Sequence, residues 1–420
     1  MVVVKKVKQE SILPSVCEDE GENEEDFRGI AIRPASRPRS LYSRGSVNGQ
    51  RYSTKEKNEN DYVLDERPPF DPTGHLCYRE ACRMLNVIPV SHFLRNINQS
   101  ELNMMHCGLG TQGNKALAVA LETNTSILKL NLGDNSMEGM GGADIAGMLK
   151  ENCYITEIDL SENWMGENGS RALAGILLEN TVLLSLNLSG NHLDEHAARH
   201  LAPALTGNQK LQHLDLSHNK FGDMAGKILG AAIAENTAMK SLNLAWNCIR
   251  GKAAIAFAKG LGGNVFLRTL DLSYNGLGKE GAIALEEALK HNNTLEDLNI
   301  GYSKIAYLEG AIHFALGLKV NTTPRILKMS RNPMQSAGCF TILKSVQVNP
   351  ESVIEFLDFT DICVDQEFED FFNTMKDTLP NLQVEHGGKI KTAPKKVLNF
   401  IQKHVIWTIY LCHPCGQLKG

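Results

Sequence analysis

The sequence predicts an α/β solenoid, and three observations carry that prediction. Asparagine returns at positions 135, 163, 191, 219, 247 and 275, each 28 residues after the last. Each copy sits in the phrase L-x-x-L-x-L-x-x-N-x-L, enough chain for one short strand and a turn. Between copies runs a stretch with apolar residues three and four apart, as in Leu173, Ala174 and Leu177, which is the spacing of a helix face. A unit this small cannot bury its own apolar face, so it must stack on its neighbours.

The elements follow in chain order. Residues 1–70 show no apolar periodicity and separate into an acidic block, Glu18 to Asp26, and a basic one with Arg28, Arg33, Arg37, Arg39, Arg44 and Arg51. Such a tail cannot bury enough apolar surface to offset chain entropy and is expected to be disordered. Arg33-Pro34-Ala35-Ser36 and Arg37-Pro38-Arg39-Ser40 place arginine three residues before serine, which makes Ser36 and Ser40 candidate phosphorylation sites. Residues 71–98, with Tyr78 to Leu85 as a helix and Phe93-Leu94 beyond Pro89, are expected to cap the open end of the stack.

The repeat region is expected over residues 99–387. Its strands are read from their fourth, sixth, ninth and eleventh positions, such as Leu130, Leu132, Asn135 and Met137, or Leu214, Leu216, Asn219 and Phe221. About ten units are legible, and the spacing stretches to 29 and 30 towards the C-terminal end. Cys107, Ser303 and Ile362 replace the ninth-position asparagine, and Leu382 and Val384 supply a last incomplete strand. A second asparagine column, including Asn124, Asn152, Asn180, Asn208, Asn292 and Asn321, closes the helices. Asparagine suits the left-handed conformation that stops a helix, and its amide can satisfy free carbonyls there. Gly142, Gly169, Gly226, Gly281 and Gly310 near the helix starts allow a close turn. Residues 388–420 form a basic, then apolar tail; its seven-residue run Val405 to Leu411 is too short to cross a membrane.

Composition narrows the function. A net charge of -5 makes no global case for nucleic acid. The ten cysteines do not recur in phase with the repeat and suggest free thiols in a reducing, cytoplasmic setting. Met1 to Lys6 is too short an apolar run for a secretory signal, so the N-x-S/T triplets at Asn124, Asn292 and Asn321 read as repeat structure. His192, His196 and His200 lack a completing metal ligand, Cys412 and Cys415 lack a second pair, and Gly139 to Gly142 lies at a repeat turn outside any phosphate-loop pattern. No catalytic, cofactor or metal site is expected.

Partner information should lie where the repeats differ. The fifth position, from Asn131 to Asn299, is almost always Asn or Asp and reads as repeat grammar. The eighth runs His106, Asp134, Glu162, Gly190, His218, Trp246, Tyr274, Tyr302, Arg331, Asp361. Trp246, Tyr274 and Tyr302 thus align in one aromatic track, with Arg331 beyond it and acidic Asp134 and Glu162 before it. Trp, Tyr and Arg dominate protein interfaces, so these six residues are the expected partner-binding set. Rings packed flat along the sheet edge would leave the same sequence pattern.

The repeat phrases resemble those of the leucine-rich repeat family, in its ribonuclease-inhibitor-like class, over residues 90 to 385. The cap, Tyr78-Arg79-Glu80-Ala81-Cys82 through Val87 to Arg95, resembles that of the leucine-rich repeat-containing protein 74 subfamily. The resemblance implies a right-handed horseshoe with a concave parallel sheet and convex helices. The subfamily resemblance implies no settled activity; the expected function, from the rim residues and the lack of a catalytic constellation, is a non-enzymatic, monomeric scaffold that binds a protein on the concave face and rim. Two alternatives come from the same family: an activator of Ran-type GTPases, and an actin-binding regulator similar to tropomodulin. An acidic tail after the repeats would mark the first and an amphipathic actin-binding helix the second; the sequence carries neither.

Overall fold

A computed structural model describes residues 74–305 and 307–390. The expectations for residues 1–70, including Ser36 and Ser40, and for nearly all of 388–420 lie outside the described residues.

Two helices, α1 (His75–Met84) and α2 (Ser91–Asn96), precede the first strand. Tyr78 and Phe93 meet edge to face with ring centroids 4.4 Å apart, and both are buried with Cys82 and Ile97. The Val90 amide donates to the Tyr78 hydroxyl at 3.1 Å. These side chains belong to the same buried apolar cluster as Leu102, Leu117 and Leu121 of the first coil.

Strands and helices then alternate. The strands are β1 (Glu101–Asn103), β2 (Lys129–Asn131), β3 (Glu157–Asp159), β4 (Ser185–Asn187), β5 (His213–Asp215), β6 (Ser241–Asn243), β7 (Thr269–Asp271), β8 (Asp297–Asn299), β9 (Ile326–Lys328), β10 (Phe356–Phe359) and β11 (Gln383–His386). The helices between them run from α3 (Gly110–Leu121) through α4 (Glu138–Glu151), α5 (Gly166–Leu177), α6 (Glu195–Gly207), α7 (Asp223–Glu235), α8 (Gly251–Gly263) and α9 (Gly278–His291) to α10 (Tyr307–Leu318), α11 (Gln335–Val348) and α12 (Gln366–Met375). Among the described residues these eleven strands form one open sheet in sequence order, each parallel to the next. Leu130 pairs with Ile158 and Leu270 with Leu298, so residues 28 apart become ladder neighbours. The longer C-terminal spacings keep the same register, with Ile326 opposite Phe356.

The repeated leucines point between sheet and helices and are buried in every coil, as Leu130, Leu132, Leu214 and Leu216 show. Each contributes roughly 1.5 to 3 kcal/mol on burial. The ninth-position asparagines lie in the same interior and are fully bonded. Asn163 Nδ2 donates to the carbonyls of Leu132, Leu160 and Ser161, while its Oδ1 accepts from the Asn135 amide. One carboxamide thereby satisfies a turn and bridges two coils. Where serine replaces it, the Ser303 hydroxyl still donates to Leu272 and Gly301.

The structure corrects two local expectations and extends a third. The helix-closing asparagines are extended, not left-handed: Asn152 has φ -77° and ψ 120°, and Asn208 and Asn292 are similar. Their side chains explain why, because each must reach sideways to the preceding coil. Asn152 Nδ2 donates to Leu121 and Asn124 while its Oδ1 accepts from Tyr154 and Ile155. The helix-start glycines serve the close turn, since a Cβ on Gly169 would stand 2.6 Å from Met165 Cβ and one on Gly281 2.8 Å from Leu277 Cβ of the same coil, and some also serve contact with the next coil. A Cβ on Gly142 would stand 2.9 Å from Met165 Sδ, and one on Gly226 would stand 2.6 Å from Ala253 Cβ. Gly139 to Gly142 lies inside α4, not in a turn.

Candidate interaction surface

Side chains alternate across a strand, so the third and fifth positions of each repeat face away from the helices. A groove of about 850 Å³ runs over this face of β1 to β7. Its lining includes the carboxylates of Glu101, Glu157, Asp159, Asp215 and Asp271, against Lys129 and His213. Lys129 is already shared between Glu101 and Glu157, each at 3.4 Å. The groove is therefore acidic.

The fifth-position residues have local work. Asn131 Oδ1 accepts from the Gly133 amide, Asp159 from Ser161 and Asn187 from Ser189, closing an Asx turn at each strand end. Asn243 Nδ2 also donates to Asp215 Oδ2 at 2.8 Å, and Asn299 Nδ2 to Asp271 Oδ2 at 2.7 Å. Their repetition along the chain is thus accounted for by the backbone they hold.

That turn throws the eighth position into the left-handed region in every coil. Glu162 has φ 56°, Gly190 66°, His218 54°, Trp246 55°, Tyr274 56°, Tyr302 51° and Arg331 57°. For bulky side chains such backbone costs about 1 to 2 kcal/mol per residue. Bonds to the next coil impose it: the Trp246 amide donates to Ser273 O, Tyr274 to Gly301 O and Tyr302 to Ser330 O. The consequence is a column of side chains standing out along one rim of the groove.

Within that column the rings stack. Trp246 and Tyr274 have centroids 3.8 Å apart at an interplanar angle of 10°, and Tyr274 and Tyr302 are 4.6 Å apart at 24°. The stack begins one coil earlier than the aromatic track implied, because His218 lies 5.3 Å from Trp246 at 15°. Trp246 and Tyr302 remain 48% and 50% exposed, so the rings pack on each other and leave their edges to solvent. Arg331 ends the run, donating from Nη1 to the Tyr274 hydroxyl at 3.2 Å and from Nε to Asp361 at 2.6 Å. The Asp361 carboxylate and the Tyr274 hydroxyl hold the guanidinium pKa above its usual range.

At the other end, Asp134 Oδ2 lies 2.6 Å from His106 Nδ1, an exposed pair worth little in water. Glu162 stands in the next coil without an ion-pair partner among the described residues. The six residues singled out from sequence thus share one rim, but not one cluster: four join through the stack, and the two acids stand before it.

One contributor was missed, His218, which was legible because it stands in the same column beside Trp246. Trp164, at the tenth position of an earlier coil, is 53% exposed with φ 55° and has no ring contact with the stack among the described residues. The three histidines 192, 196 and 200 do not converge; His200 instead meets Glu167 of the preceding coil at 3.2 Å. Among the described residues no group of three His, Cys, Asp or Glu could hold a metal ion, and no helix is long and apolar enough to cross a membrane.

The stacked strand-and-helix coils, the asparagine ladder and a rim of outward side chains define a leucine-rich repeat protein. The family described as Leucine Rich repeat matches at residues 151–174, 207–227, 235–258 and 263–285. The chain stands close to the leucine-rich repeat-containing protein 74 subfamily. It is 47% identical to leucine-rich repeat-containing protein 74B of Homo sapiens over 51 residues, 12% of this chain and 13% of that protein. Against the Mus musculus protein of the same name it is 43% identical over 108 residues, 26% of each chain. The matched stretches therefore span about a quarter or less of those relatives. Among solved structures, Leiomodin-1 Actin-Binding Site 2 is similar with a TM-score of 0.27 and 19% identity, covering 36% of this chain and 75% of that one.

Proposed function

We propose that this chain is a non-enzymatic scaffold that binds a protein partner on the strand face and its rim. The stack of Trp246, Tyr274 and Tyr302 with Arg331 is the anchor. The observation that carries this reading is the half-exposed aromatic stack itself. Its rings stand on left-handed backbone fixed by bonds to neighbouring coils, so they lose little freedom when a partner covers them. Asp134 and Glu162 extend the same rim with negative charge, which favours a partner carrying positive charge opposite them.

Proximity labelling with the full chain, followed by capture of each candidate, tests the proposal. Trp246→Ala, Tyr274→Ala and Tyr302→Ala together should abolish capture while leaving thermal unfolding within a few degrees of the parent. Capture of every partner by that triple variant would reject it. Stimulation of GTP hydrolysis across a panel of small GTPases would replace it with an activator reading.

A further inference from the structure

The sheet ends on an open edge. Among the described residues β11 is the last strand of the order and pairs with β10 alone. In that pairing Val384 stands opposite Leu357 and His386 opposite Phe359, so these two hold the inward positions of the last coil. In the coils of β1 to β10 those positions are at most 3% exposed, whereas Val384 and His386 are only half-buried. Earlier sixth-position amides donate to the next strand, as Leu216 does to Asn243 O and Met329 to Asp358 O. His386 holds that position with no next strand to receive its amide among the described residues.

The chain leaves the fold at this same end. The Val364 amide donates to Gly388 O at 2.9 Å and the Ile390 amide to Val364 O at 2.8 Å, which ties the backbone down immediately before residues 391–420. Those residues repeat the helix-then-strand pattern of the coils. Val397, Phe400 and Ile401 follow Pro394 at the spacing of a helix face. Val405, Trp407, Ile409 and Leu411 then place four apolar residues on one side of an alternating run, with Ile406, Thr408 and Tyr410 on the other. Residues 387–404 supply more than the dozen or so that a parallel crossover needs. A segment tethered this closely meets its edge at a high effective concentration, so modest contacts hold it.

We propose that residues 405–411 of the same chain are the partner of this edge, pairing in parallel with β11. Val405, Trp407, Ile409 and Leu411 cover Val384 and the ring of His386. Covering His386 orphans no polar atom of that ring, because Nε2 meets Glu369 Oε1 at 3.0 Å and Nδ1 accepts from the Gly388 amide at 3.2 Å. The pairing also withdraws from solvent an apolar run that, left free, would seek the sheet edge of another copy. It is independent of the rim and of what the rim binds.

The test uses the full chain. Hydrogen exchange at the His386 amide should be at least about tenfold slower than in an unstructured peptide of the same sequence. Ile409→Lys together with Leu411→Lys should remove that protection, while Ile406→Lys together with Tyr410→Lys, on the other side of the run, should keep it. Exchange at the Leu216 amide, in the middle of the sheet, reports that both variants are folded. Equal exchange at His386 in the two double variants would overturn the pairing. A second measurement needs no disruptive change: with Trp164→Phe and Trp246→Phe, Trp407 is the only tryptophan left. Its emission should be several-fold less sensitive to acrylamide than that of a free indole, and equal quenching sinks the proposal. Protection at His386 that disappears on dilution, with a dimer seen by light scattering, sinks it as well, since a second copy then holds the edge.

Discussion

Replacing Asn219 with alanine isolates the bonds that hold one coil to the next. Its Nδ2 donates to Leu188 at 3.1 Å and to Leu216 and Ser217 at 3.0 Å, while its Oδ1 accepts from the amides of Asn191 at 3.0 Å and Leu193 at 2.9 Å. The residue is buried, so these backbone groups face protein when the carboxamide is gone. Two amides without an acceptor cost roughly 1 to 3 kcal/mol each, and water entering the turn recovers part of that. We expect a net loss of about 3 kcal/mol for Asn219→Ala. Asn219→Ser should lose less, because Ser303 shows that a hydroxyl in this position still donates to two carbonyls. Stability in a repeat array is roughly a sum over units and their interfaces, so the effect should be local before it is global. Hydrogen exchange should therefore quicken first at the amides of Asn191 and Leu193, and urea unfolding should shift in the order parent, serine, alanine. Equal exchange at those two amides in all three proteins would refute the bonding account.

Three further outcomes follow from packing, strain and burial. A Cβ on Gly260 of α8 would land on the Gly230 carbonyl of α7, and one on Gly230 would stand 2.7 Å from Phe257 Cα. Gly260→Ala should therefore cost at least about 2 kcal/mol by urea unfolding, whereas Gly147→Ala and Gly175→Ala, with open space at their Cβ, should gain about 0.5 to 1 kcal/mol. Trp246→Gly relieves left-handed strain that Trp246→Ala keeps, so the glycine variant should match or exceed the alanine variant in thermal stability, a pairwise comparison by calorimetry. Burial pushes the Tyr78 hydroxyl up to about 12, above its ordinary 10.0. The unfolded chain then releases its proton first, so stability declines as pH rises through that window. Tyr78→Phe lacks this loss, and its deficit against the parent at neutral pH should narrow in urea titrations at alkaline pH; a constant deficit would contradict the assignment.

Much of the fold was legible because its cause is periodic. Leu130, Ile158 and Leu186 recur at one phase, and only a stacked coil can bury all of them. Asn135 to Asn275 recur because every turn leaves the same amides and carbonyls to satisfy. Side-chain direction was less legible. The conformation of the helix-closing asparagines could not be read locally, because Asn152 takes it from carbonyls of the preceding coil, 28 and 31 residues away.

The sequence by itself determined the stack, its register and the list of residues free to vary on its rim, since each follows from a 28-residue spacing and alternation along a strand. Only the tertiary structure decided how those rim residues meet. Left-handed backbone at Trp246, Tyr274 and Tyr302 is imposed by bonds to the next coil against the preference of those side chains. The contact of their rings, and the lean of Glu162 over Gly190, exist only once coils close and bring residues 28 apart in sequence within one strand spacing of each other.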